Sequence, residues 1–276
     1  MTTMRTETID RVRMITFTRA AEHNTITPEF RDDLREALDD AERDRAVSVV
    51  LLTADGPAFC AGYQLDWGAQ QLAYTEGWDP TVDLGDIGPF VATFTRLWEL
   101  RKPTIAAVQG WCLGGGTDLV LCADLILAGD DAVFGYPAAR GIGIPTTAMW
   151  VHRLGLEQAK RYLFTGDEIP AAEAARIGMI LETVPAVELR ERALALSRRI
   201  AQVPLNHLVM LKLLCNHPVE NQGLGSARLL GTLFDGIARH TPEAQHFVAT
   251  LTERGLRAAL RERDDPFGDY GSRPRR

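Results

Sequence analysis

The sequence predicts an α/β fold in which parallel strands are separated by helices, followed by a region that is helical throughout. Two observations carry this. Short apolar runs, some rich in β-branched residues, alternate with stretches of helical spacing, the pattern produced by parallel strands joined through helical crossovers. Beyond about Leu156 the strand runs cease and one helical segment follows another.

In chain order, Arg11 to Thr18 (RVRMITFT) alternates and reads as a first strand. Thr27-Pro28 opens a helix to about Arg43: Thr27 caps, Pro28 suits the first turn, and Leu34, Ala37, Leu38 and Ala41 form one apolar face. Val47 to Thr53 is apolar nearly throughout, as in a strand buried on both faces. Leu84 to Leu100 then reads as helix, Pro103 to Val108 and Leu125 to Ala128 as further buried strands. Helical spacing recurs in Leu156–Leu163, Ala171–Ile177, Ala186–Ala201, Leu205–Leu214 and His240–Arg263.

Composition narrows the function classes. With 276 residues, 46% hydrophobic and 24% charged, the chain suits one large globular domain or one domain with an appendage. A net charge of −7 argues against nucleic acid as a partner, because phosphate binding needs a basic face. Cys60, Cys112, Cys122 and Cys215 are scattered without a Cys-x-x-Cys pair, which suits free thiols in a reducing cytoplasm and no metal site. The first ten residues lack a signal-peptide core, and no apolar run nears the roughly 18 residues of a membrane span. A soluble, cytoplasmic protein is expected.

Two loops draw attention. Asp55 to Leu65 (DGPAFCAGYQL) follows a buried strand, and its small residues let the main chain approach a ligand. Gly110 to Asp118 (GWCLGGGTD) places three successive glycines at a helix start, where N–H groups point one way and form an anion site. Phosphate is the first rival ligand. However, no Gly-x-x-x-x-Gly-Lys-Ser/Thr is present, and Leu119 stands where a dinucleotide fingerprint wants Gly or Ala.

These loops belong to a longer ordered set: Ile15 to Asn24, Ala58 to Leu65, Lys102 to Gly110 with Gly114-Gly115-Gly116, Cys122-Ala123-Asp124, Phe134-Gly135-Tyr136-Pro137, Gly143-Ile144-Pro145 and Leu163 to Gly166. From about residue 8 to 262 the set resembles the enoyl-CoA hydratase/isomerase (crotonase) superfamily. The resemblance implies a spiral of stacked β-β-α units over residues 1–203, holding the CoA and acyl site. It also implies a C-terminal helical region, residues 204–276, that builds a homotrimer or a dimer of trimers. The implied substrate is an acyl-CoA thioester. Coenzyme A is then part of the substrate, and no separate cofactor is expected.

The same resemblance assigns residues. The backbone N–H groups of Tyr63 and Gly115 form an oxyanion hole for the thioester oxygen, beside Gly114. His23, Thr25, Ala61 and Leu65 fall at main-chain CoA contacts, with an ordinary surface histidine as the other reading of His23. Arg19 either faces phosphate or is solvated.

Two glutamates of a typical hydratase are missing. Asp118 takes the first position, as acid/base or merely as a charge at the helix start; at that helix end it is expected to stay ionised. Ala138 takes the second, which limits ordinary hydration. Tyr136 and Arg140 lie nearby, and Arg140 has two open roles: binding a substrate carboxylate, or a structural ion pair. Trp67 belongs to a long segment, Asp66 to Phe90, that covers the acyl pocket in relatives; Asp66, Glu76, Asp83 and Asp86 are its candidates for the missing carboxylate. The expected activity is hydration of a 2-enoyl-CoA. Isomerisation, decarboxylation or thioester hydrolysis through the same enolate, and acyl-CoA binding without turnover, are the alternatives.

Overall fold

A computed structural model describes residues 1–65 and 79–270; Trp67, Asp66 and Glu76 lie outside the described residues. The elements run β1 (Met4–Ile9), β2 (Val12–Phe17), α1 (Pro28–Arg43), β3 (Val49–Ala54), β4 (Ala58–Cys60), α2 (Pro80–Glu99), β5 (Thr104–Val108), β6 (Trp111–Leu113) and α3 (Gly115–Val120). They continue with β7 (Leu125–Gly129), β8 (Val133–Gly135), α4 (Met149–Leu154), α5 (Leu156–Thr165), β9 (Ile169–Pro170), α6 (Ala171–Arg176), β10 (Glu182–Val184) and α7 (Leu189–Ala201). Four helices follow: α8 (Leu205–Asn221), α9 (Leu224–Arg239), α10 (Pro242–Arg254) and α11 (Leu256–Asp264).

Long strands build one sheet in the order β1-β2-β3-β5-β7-β10, parallel except for β1 against β2. Short strands build a second, β4-β6-β8-β9. Each turn of chain gives one strand to each sheet, as β3-β4, β5-β6 and β7-β8 do, so the short strands stack and hold successive loops side by side. The fold is the expected α/β spiral.

Local chemistry sets the element ends. Thr27 Oγ1 accepts from Phe30 N at 3.2 Å, the cap expected from Thr27-Pro28. α2 begins earlier than the expected Leu84, because Asp79 caps it by accepting from Thr81 N at 2.8 Å and Pro80 takes its first position. The expected single segment His240–Arg263 is two helices, broken at Gly255, whose φ of +84° favours glycine. The core lies between the long sheet and α1, α2 and α3; Phe17 meets Phe30 at 4.7 Å and Phe59 at 5.2 Å between ring centroids.

The C-terminal helices are tied to this core. Lys212 on α8 pairs with Asp124 at 2.8 Å and donates to Leu97 O at 2.9 Å, and Asn216 donates to Trp98 O at 3.2 Å. On α9, Gly231 and Gly236 allow close approach: a Cβ there would sit 2.6 Å from Pro145 O and 2.9 Å from Asp83 Cβ. Among the described residues no helix is long and apolar enough to cross a membrane.

Candidate active site

Residues 23–26 are zipped to residues 61–64. Ala61 N donates to His23 O at 3.1 Å, Ile26 N to Gly62 O at 2.9 Å, and Gln64 N to Ile26 O at 3.0 Å. Donors alternate along an extended segment, so the Tyr63 N–H faces away from residues 23–26. Buried Asn24 anchors the same loop by donating to Asp55 O at 2.9 Å and Ala58 O at 2.8 Å. Arg19 is half-buried and donates to Thr25 O at 2.8 Å and Gln64 Oε1 at 3.0 Å, bracing the two strands.

The glycine run meets this loop edge to edge. A Cβ on Gly62 would lie 2.9 Å from Leu113 O and 3.6 Å from Gly115 N, and one on Gly116 would lie 2.3 Å from Cys60 O. Side chains at either position would wedge the loops apart. Gly115 is the first residue of α3, so its N–H has no acceptor within the helix. Among the described residues neither Tyr63 N–H nor Gly115 N–H donates to a backbone carbonyl outside the regular elements. Two unpaired amides from two stacked loops thus flank one cavity.

That cavity measures about 790 Å³, and its wall includes His23, Thr25, Ala61, Tyr63, Leu65, Gly114, Gly115, Tyr136 and Ala138. His23 is exposed at the rim, in a left-handed turn with φ +51°. The opposite wall comes from the last helices, with Asp235, Arg239, Phe247, Leu251, Leu256 and Leu260. The site expected within residues 1–203 therefore draws on both segments.

Asp118 is wholly buried and does not line the cavity. Its Oδ2 accepts from Thr146 N at 3.0 Å and Thr146 Oγ1 at 3.1 Å, and its Oδ1 from Thr147 Oγ1 at 3.1 Å. Tyr136, which does line the cavity, brings its hydroxyl to 3.4 Å from Oδ2. Burial pushes the Asp118 carboxyl up to about 7 against these hydrogen bonds, with nearby Asp235 adding to the rise. The expectation of a carboxylate kept ionised by the helix end fails because loss of water outweighs one short helix.

Arg140 does not reach the cavity. Its side chain is 3% exposed, it pairs with Asp264 at 3.0 Å and Asp269 at 2.7 Å, and it stacks 3.9 Å over Phe267. Of its two open roles, the structure supplies the ion pair. Of the other carboxylates proposed from the sequence, Asp83 pairs with His240 at 2.9 Å and Asp86 is exposed; neither lines the cavity.

The residues that sequence reasoning missed are Asp235 and Arg239. Asp235 is 4% exposed, accepts from Ile144 N at 2.9 Å, and pairs with Arg239 at 2.7 Å across one helical turn. One signal was available: Thr232, Asp235 and Gly236 share the buried face of α9, and an acid there demands a partner. Among the described residues no group of three or more His, Cys, Asp or Glu is gathered as metal ligands.

Comparison with known proteins agrees with this geometry. Residues 7–249 match the sequence profile of the family described as enoyl-CoA hydratase/isomerase. EchA13 of Mycobacterium tuberculosis, which carries the name of an enoyl-CoA hydratase, is 34% identical over 246 residues, covering 81% of this chain and 76% of that relative. Among solved structures, an enoyl-CoA hydratase from Mycobacterium smegmatis superposes with a TM-score of 0.93 at 42% identity, over 98% of this chain and 96% of that one. An enoyl-CoA hydratase/isomerase from Xanthobacter autotrophicus Py2 gives 0.90 at 30% identity, over 96% and 98%. The chain belongs to the enoyl-CoA hydratase/isomerase family.

Proposed function

We propose that this protein hydrates a 2-enoyl-CoA to the 3-hydroxyacyl-CoA and catalyses the reverse dehydration. The observation that carries the reading is the pair of unpaired amides, Tyr63 and Gly115, on one cavity wall. In hydration, charge moves from the β-carbon side onto the thioester oxygen as the enolate forms. Fixed donors at that oxygen bind the enolate more tightly than the ground-state carbonyl, and losing one typically costs roughly 10²- to 10³-fold in kcat. Main-chain groups of His23, Thr25, Ala61 and Leu65 hold the CoA moiety at the rim. The apolar wall of Phe247, Leu251, Leu256 and Leu260 receives apolar acyl surface.

Asp118 stands behind Tyr136, whose hydroxyl donates to Ile144 O at 3.0 Å and lies 3.4 Å from Asp118 Oδ2. A one-carboxylate reaction on the same enolate is the second reading, favoured by Ala138 alone. Crotonyl-CoA hydration, followed by loss of the enoyl thioester absorbance and by product mass, tests the first reading. Absence of the 3-hydroxy product across short and long 2-enoyl-CoAs would refute it.

The assembly is a homotrimer or a dimer of trimers. Met210, Leu211, Leu213 and Leu214 on α8 and Leu229, Leu230, Phe234 and Ile237 on α9 are all exposed in the single chain, a larger apolar surface than a monomer keeps in water. Four unpaired cysteines, three of them buried, suit a reducing cytoplasm.

A further inference from the structure

We propose that Asp235, carried into the cavity by α9, is the second acid–base carboxylate that Ala138 cannot supply. The inference rests on the hydratase reading. A Cβ on Gly143 would lie 2.9 Å from Asp235 Oδ1 and 3.5 Å from Ala138 Cβ, so the carboxylate stands beside the position that lacks one. Both residues line the cavity that Tyr63 and Gly115 open onto. Gly143 leaves room for this oxygen; any side chain there would press against it.

The carboxylate is held for use. Oδ2 accepts from Arg239 Nε at 3.0 Å and Nη2 at 2.7 Å, while among the described residues Oδ1 accepts only from Ile144 N at 2.9 Å. A carboxylate oxygen has two lone-pair sites, so Oδ1 keeps one for a water in the cavity. A buried ion pair is weak evidence for stability, since apolar residues of equal volume often do as well. One placed on the wall of a reaction cavity has a chemical reason to be there.

The step balances within the site. Asp235 takes one proton from water as the water oxygen bonds to the β-carbon. The π pair moves through the α-carbon to the thioester oxygen between the two amides. When the enolate collapses, the Asp235 carboxyl gives that proton to the α-carbon and is a carboxylate again.

The test is steady-state hydration of crotonyl-CoA by the full-length protein. D235N should lower kcat by roughly 10²- to 10⁴-fold with KM within about threefold. D235N/A138E, which returns a carboxylate from the neighbouring position, should regain at least tenfold over D235N. Should D235N fail to fold because Arg239 is stranded, D235N/R239Q replaces it, with the same expected loss and the same rescue by A138E. A D235N or D235N/R239Q enzyme within threefold of wild type overturns the role of Asp235 alone. A loss that A138E does not relieve assigns Asp235 to holding α9 and overturns it too. A wild-type enzyme that hydrates no 2-enoyl-CoA overturns the hydratase reading and this role with it.

Discussion

Replacing Asp118 by Asn should change how stability depends on pH, and the sign follows from burial. The folded carboxyl is pushed up from 3.8 to about 7, chiefly by loss of water, while in the unfolded chain it ionises near its ordinary value. As pH rises between those values the unfolded chain releases a proton that the folded chain keeps. Stability from this group is therefore complete below the unfolded value, falls across the window, and is flat above about 7. At about 1.36 kcal/mol per unit the whole loss is on the order of 4 kcal/mol, of which roughly 3 falls above pH 5. An Asn amide can accept from Thr146 and donate to Thr147 Oγ1, as the protonated acid does, and never ionises. The variant should thus gain on wild type as pH rises from about 5 to 7, then keep a constant lead. Urea unfolding at one protein concentration, followed by circular dichroism across that range, measures the gap. Parallel curves, or a lead that shrinks with rising pH, would refute the argument that burial governs Asp118.

Further expectations follow from single contacts. Gly62→Ala should cut kcat by about 10²-fold with a smaller change in KM, because its Cβ would push against Leu113 O and displace the Gly115 amide; unchanged kcat would remove these amides from the chemistry. Tyr63→Phe should keep the hydration rate and raise stability by about 1 kcal/mol, since the buried Tyr63 hydroxyl has no partner among the described residues; a thermal melt and kcat decide it. Arg140→Met should cost about 1.5–3 kcal/mol by removing the charged hydrogen bonds to Asp264 and Asp269, while leaving the KM for acyl-CoA of any folded protein near wild type. Leu213→Glu with Leu214→Glu, side chains 61% and 70% exposed in the single chain, should give a monomer mass by light scattering if α8 forms the subunit contact.

Much of the fold was legible because it is written in apolar pattern. β3 and β5 read as buried strands, and α1 announced both its cap and its core face. β1 escaped because it is an edge strand: Arg5, Glu7 and Thr8 leave it only partly buried, so it shows no apolar run. The three-residue strands β4, β6 and β8 were hidden in the glycine loops, where their short ladders are set by stacking between turns and not by propensity. α9 was missed as a helix because Gly225, Gly231 and Gly236 depress its helical preference, two of them serving close packing against neighbouring segments. The loops that carry Tyr63 and Gly115 stood out through their glycines and through the resemblance they carry, and both residues line the cavity. Asp235 did not stand out, because it sits far along the chain from the loops it joins.

The two buried acids have unlike surroundings. Among the described residues Asp118 is met only by neutral groups, the Thr146 amide and the hydroxyls of Thr146 and Thr147 with that of Tyr136 at 3.4 Å, and by no cation. Asp235 has Arg239 one turn away on its own helix. Its charge is one of the influences that raise Asp118, so the two sites are electrically linked although their side chains share no hydrogen bond. In the proposed step the proton passes to and from Asp235, and Asp118 stands behind Tyr136 away from the reacting atoms. The loss at Ala138 then relocates the second group to the C-terminal helices, which makes correct docking of α9 a condition for catalysis as well as for folding.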